Sequence, residues 1–177
     1  MTRKTILILA FFLSLYSSGQ QTNLLKLDGF KSIKIGTKKK KFDNLKQTND
    51  APEGYLSFEY HPKDINLYKV FDTKYDRILL YFDDTTERLK TIVISSTFTG
   101  DNSYQTALNK SSLTIGEFDK NIGPPYEIIE VKDASNKSGF SWYGNNIYID
   151  VFVMSNGEKS KRTEAVVEIG KDVELKY

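Results

Sequence analysis

The stretch SGFSWYGNNIYIDVFVMSNGEKSKRTEAVVEI, residues 138–169, decides the fold. It reads as three β-rich runs separated by two turn signals, Gly144-Asn145-Asn146 and Ser155-Asn156-Gly157-Glu158. In the middle run Ile147, Ile149, Val151 and Val153 alternate with Tyr148, Asp150, Phe152 and Met154. Side chains of a strand point to opposite faces with a period of two, so one face is wholly aliphatic and has to be covered. The other face is mixed and ring-bearing, which suits solvent or a partner. An antiparallel meander with one dry side follows.

Working outward, a similar pattern precedes it. Residues 55–60 (YLSFEY), 65–71, 77–82 (RILLYF) and 89–98 read as strands, the last two forming a hairpin through the acidic loop after Phe82. A short helix is expected over 38–46, capped by Thr37, with Phe42 and Leu45 inward. Thr99-Gly100-Asp101-Asn102 breaks the pattern and divides the chain into units 20–100 and 101–177. The second unit starts with helical segments at 102–110 and 117–122, interrupted at Ser111-Ser112 and stopped by Gly123-Pro124. Tyr126 opens a further strand, and a last edge strand is expected over 171–177. The fold class predicted is α+β: two repeated units, each of short helices followed by an antiparallel β-meander, forming one mostly antiparallel sheet with helices on one face.

The run from Ile115-Gly116 to Gly123-Pro124, followed by the Trp142-Tyr143 and Ile147-Tyr148-Ile149 strand pair, resembles the tandem helix-plus-meander repeats of beta-lactamase inhibitor proteins. It is also similar to the single-repeat small lipoproteins of the outer-membrane barrel-assembly machinery. The resemblance spans most of 30–169, and the first unit departs from it in lacking a Gly-Pro stop. It implies a concave aromatic sheet that grips another protein. No functional residue of either family carries over to a numbered position.

Residues 1–19 read as a secretory signal peptide. Arg3 and Lys4 precede a ten-residue apolar core over 6–15, and small residues ending at Gly19 offer a cleavage site. The apolar run is too short to span a bilayer comfortably, so the membrane is met only during export. No cysteine is available for lipidation. Removing Arg3 and Lys4 from the 25 basic residues leaves 23, equal to the 23 acidic ones. A chain of zero net charge lacks the basic excess of a nucleic-acid binder. The absence of cysteine fits a bacterial periplasmic or secreted protein that does without disulfides.

Chemistry-bearing motifs are sparse. His61 is the single histidine and stands before Pro62 in a turn; no catalytic triad, zinc set or phosphate-binding loop is written here. No catalytic, cofactor-binding or metal residue is therefore assigned, and no cofactor is expected. Asp83-Asp84 and Glu87 lack the spacing of a calcium loop and read as a hairpin turn. The lysines at 38–41 read as a solvated helix. Aromatics are in excess: Tyr60, Tyr81, Trp142, Tyr143, Tyr148 and Phe152 are the candidate partner-binding residues, with Tyr55, Phe58, Tyr68 and Tyr75 adding to the surplus. The expectation is an exported protein-binding module, an inhibitor, immunity or envelope-assembly factor, using an aromatic sheet face. The alternative is a small exported hydrolase or carbohydrate-binding domain that uses strand carboxylates such as Asp150 and Glu168. That alternative requires both carboxylates on one face, and a small-molecule ligand remains open.

Overall fold

The computed structural model describes residues 28–49, 51–131, 136–144, 146–155 and 161–171. The predicted signal peptide, the turn at 156–160 and the edge strand proposed beyond Lys171 lie outside the described residues. The chain builds one eight-stranded antiparallel sheet from β3 (Leu45–Gln47), β4 (Tyr55–Tyr60), β7 (Arg77–Asp83), β8 (Leu89–Thr99), β9 (Glu127–Val131), β10 (Lys137–Gly144), β11 (Ile147–Ser155) and β12 (Arg162–Lys171). Their order across the sheet is β3-β4-β7-β8-β12-β11-β10-β9. Two four-stranded meanders thus meet through their last strands, β8 against β12, with Val167 opposite Ile94 and Ile169 opposite Ile92. Two short hairpins complete the β structure: β1 (Gly29–Phe30) with β2 (Ile33–Lys34), and β5 (Lys69–Val70) with β6 (Thr73–Lys74).

The alternation in 147–154 sorts the faces as the sequence predicts. Ile147, Ile149, Val151 and Val153 are all buried, and their register partners Ile169, Val167 and Ala165 share that face. Over it lies the single α-helix among the described residues, α1 (Ser103–Ile122). The expected fold of two helix-plus-meander units is therefore incorrect. Among the described residues the first half contributes only 3-10 turns, Lys39–Lys41 and Ile65–Tyr68, and the described part of the chain is mostly β with one helix. Phe42 leaves the 3-10 turn extended, a bend at 43–44 with Asn44 at φ 59° follows, and β3 begins at Leu45, so no helix continues from Thr37; Lys38 precedes the 3-10 turn without a side-chain cap. Four consecutive lysines repel and give no apolar stripe, so nothing holds a longer helix there. Residues 65–68 curl because the Asp64 carboxylate accepts from Asn66 N–H at 2.9 Å.

The second correction concerns Ser111-Ser112, expected to interrupt the helix. α1 runs through both without a break and ends at Gly123, which takes φ 112° and donates to Asp119 O. Its buried positions are Ser103, Ala107, Ser111, Thr114 and Phe118, spaced four, four, three and four apart. This is a helical stripe made of small residues up to Thr114 and closed by Phe118. It lets the helix lie close to the bulky aliphatic side chains of β8, β11 and β12. Ser111 Oγ donates to Phe152 O at 3.4 Å, and Thr114 Oγ1 bonds the hydroxyl of fully buried Tyr75 at 2.8 Å. The Tyr104 and Leu113 side chains point out to solvent instead.

Candidate functional site

The described helix, both 3-10 turns and both short hairpins pack on the aliphatic side of the sheet. Among the described residues no helix or strand lies over the opposite side. That face is built by alternate positions of seven strands: Tyr55 on β4, Tyr81 on β7, Thr91 and Val93 on β8, Glu168 on β12, Tyr148, Asp150 and Phe152 on β11, Ser141 and Tyr143 on β10 and Glu127 on β9, with Ser57, Leu79, Ser95 and Val166 buried among them. Register fixes which side chains meet. Directly opposite residues of neighbouring antiparallel strands have Cβ atoms about 5 Å apart. Asp150 stands opposite Glu168 on one side and opposite Ser141 on the other. Tyr148 stands opposite Gly170 and Tyr143, and Phe152 opposite Gly139.

The two glycines shape the surface. A Cβ on Gly170 would sit 2.4 Å from the Tyr148 ring, and one on Gly139 would sit 2.1 Å from Val151 O and 2.6 Å from Phe152 Cβ. The Tyr148 ring therefore lies down across β12 where no side chain rises, while at Gly139 the β11 backbone itself comes too close for a side chain. Tyr148 stretches far enough to donate its hydroxyl to Glu168 Oε1 at 2.6 Å. Phe152 is 4% exposed, with the Lys137 ammonium 5.0 Å above its ring. Ser141 Oγ donates to Asp150 Oδ1 at 2.6 Å, and Tyr143 reaches Glu127 Oε2 at 3.4 Å. Tyr126, mostly exposed, meets Tyr143 edge to face at 5.5 Å.

The electrostatics follow from this packing. Asp150 is pushed up to about 6, first by loss of solvent and then by the Glu168 and Glu127 charges, while Ser141 and Lys137 pull it down. The Tyr148 phenol is pushed far above its ordinary value by burial and by the facing Glu168 carboxylate, and Tyr143 is raised mainly by burial. Two shallow depressions result. One of about 350 Å³ is bordered by Glu127, Lys137, Ser141, Tyr143 and Asp150. The other, of about 340 Å³, is bordered by Pro52, Tyr55, Tyr81, Thr91, Tyr148 and Glu168.

Of the six residues expected to form a partner-binding cluster, Tyr81, Tyr143, Tyr148 and Phe152 belong to the open face. Trp142 does not: it is 2% exposed beneath α1, stacks at 5.3 Å on Phe118 and donates from Nε1 to Gly123 O at 2.8 Å. Its position one residue from Tyr143 already puts it on the other face. Tyr60 also lies on the helix side, edge to face with Phe42 at 5.7 Å. Sequence reasoning counts Tyr55 only among the surplus aromatics and passes over Ser141 and Lys137, whose roles depend on register between strands. His61 is an exposed turn residue 3.7 Å from Glu59, and Asp83 closes its hairpin by accepting from Thr86 N–H and Oγ1, both at 2.7 Å. Lys39 pairs with Glu87 and lies over the Phe58 ring at 5.4 Å. Among the described residues no three histidine, aspartate or glutamate side chains converge as metal ligands, and no described helix is long and apolar enough to cross a membrane. Comparison with family models, with curated proteins and with solved structures finds no match for the chain.

Proposed function

We propose that this chain is an exported protein-binding module that holds its partner on the open sheet face. One observation carries the reading: every described element outside the sheet packs on one side, and the tyrosines on the other side meet solvent. Eight strands at about 4.8 Å spacing and ~20 Å usable length make a face of roughly 650 Å². That is close to the ~800 Å² each partner buries in a standard protein complex, and larger than a small molecule needs. Tyr55, Tyr81 and Tyr143 supply apolar area with a polar tip, the residue type that dominates such interfaces.

The test is a photo-crosslinking amino acid placed at Tyr55 or Tyr143, with Tyr104 on the exposed side of α1 as control. A protein partner crosslinked from the first two positions and not from the third supports the reading. Equal crosslinking from all three, or from Tyr104 alone, removes it. A second reading, a carbohydrate-binding or hydrolytic face, is favoured by a separate observation: Asp150 and Glu168 are register partners on one face, with Asp150 raised toward neutrality. Loss of glycan binding or hydrolysis in Glu168→Gln, with the crosslinked partner unchanged, would select it.

A further inference from the structure

On the helix side, the two short hairpins and the end of α1 enclose a groove of about 450 Å³. This volume is within the ~300–1,000 Å³ typical of small-molecule sites. Its floor is Ile149 and Ile169, its wall is Phe118 and Ile122, and its lips are Lys31 and Phe71. The lips are unusual in the same way. Each is the first residue of a two-residue hairpin turn, Lys31 between β1 and β2 and Phe71 between β5 and β6. Both have left-handed backbones, φ 52° and 51°. Glycine, asparagine or aspartate normally takes such a place, and a bulky side chain there is strained. The chain carries an aromatic ring and an ammonium at these two tips nonetheless. Strain of this kind is kept where a side chain has a task.

Phe71 remains 37% exposed although its ring meets Phe118 edge to face at 5.0 Å, so it roofs the groove without filling it. Lys31 donates to Asn66 O, which leaves two of its three N–H bonds unspent. Burial holds the Lys31 ammonium below its ordinary value, with Asp64 raising it and Lys69 lowering it, and its exposed position at the lip still suits an anionic group. We propose that the groove binds a single-tailed amphiphile, its hydrocarbon tail over Ile149 and Ile169 and its anionic head at Lys31. The site lies on the face opposite the proposed partner surface and stands or falls independently of it.

Trp142, the sole tryptophan, stacks on Phe118 directly behind the groove wall and so reports its occupancy. The experiment titrates the purified protein with dodecanoate, below its micellar concentration, and with dodecanol, following Trp142 emission. Expected is a saturable shift at one dodecanoate per chain. Phe71→Gly should weaken it at least tenfold while leaving the melting temperature unchanged or higher, because glycine accepts the left-handed turn. Lys31→Gln should weaken dodecanoate about tenfold and leave dodecanol binding as it is. A flat titration overturns the proposal and hands the groove to another occupant, whether chain preceding Asp28, a second copy or a partner's apolar side chain. Undiminished binding in Phe71→Gly, or equal loss of both ligands in Lys31→Gln, overturns it as well.

Discussion

The two faces of the one sheet solve the same packing problem with the sizes reversed. On the helix side the sheet offers large side chains, Ile149, Val151, Val167 and Ile169, and the covering helix offers small ones, Ala107, Ser111 and Thr114. On the open side the sheet itself supplies both partners: the large Tyr148 lies across Gly170, and Gly139 lets β10 approach the backbone of β11 at Val151 and Phe152. A face can be sealed by another element or by its own side chains laid flat. The first solution gives a dry core. The second keeps aromatic and carboxylate groups at the surface and holds them in place by cross-strand contacts, which is how a binding surface stays ordered without its guest.

The largest expected effect breaks the helix side. Trp142→Ala removes a fully enclosed ring, its stacking on Phe118 and the hydrogen bond that ties β10 to the end of α1. Truncations of this type cost about 3–5 kcal/mol. Chemical denaturation should show a matching fall in the midpoint with an unchanged slope. A loss under about 1 kcal/mol would mean that the helix is not anchored as described.

A smaller effect probes the open side. Gly139→Ala drives a methyl into Val151 O and Phe152, and overpacking of this kind costs about 1–3 kcal/mol. The matched control is Gly116→Ala in α1, where nothing lies within 4 Å of the new methyl. That substitution should raise stability by about 0.5–1 kcal/mol, the helix-propensity gain. Opposite signs from the same change in the same protein, read as melting temperatures, would sharpen the contrast between the faces. Two equal losses would erase it.

The parts of this contrast that are local were legible in the sequence. Strict alternation over 147–154 named the dry face and its opposite, and Gly123-Pro124 named the end of the helix. What escaped was non-local or chemically disguised. The helix stripe uses serine and threonine at buried positions, so apolar periodicity alone splits the helix at Ser111-Ser112. The helix expected over 38–46 rests on Thr37 as cap and on Phe42 and Leu45 as its inner face, and two apolar residues cannot hold a helix through four lysines. Trp142 was grouped with Tyr143 by composition although neighbours in a strand face opposite ways. The opposition of Asp150 to Glu168 needs the register of β11 on β12, which no single strand encodes.

That opposition gives a modest effect and the sharpest one, because it depends on pH. Asp150 is raised in the folded chain to about 6 from an ordinary carboxylate value, since burial and the facing Glu168 disfavour its charge. A group raised by folding stabilises the fold below its unfolded value, and that contribution is lost as pH climbs through the folded value. The protein should therefore lose stability between about pH 4 and pH 7 on account of this one carboxyl, on the order of 1–2 kcal/mol once the solvent reaching a partly open face is discounted. Asp150→Asn keeps a partner for Ser141 and cannot ionise. Melting temperatures of the two proteins should run together near pH 4 and separate above pH 6, with the asparagine variant higher. A variant uniformly lower at every pH would mean that the ionised carboxylate is already well satisfied by Ser141 and Lys137. The crowding of charge that distinguishes the open face from the helix side would then be electrostatically neutral.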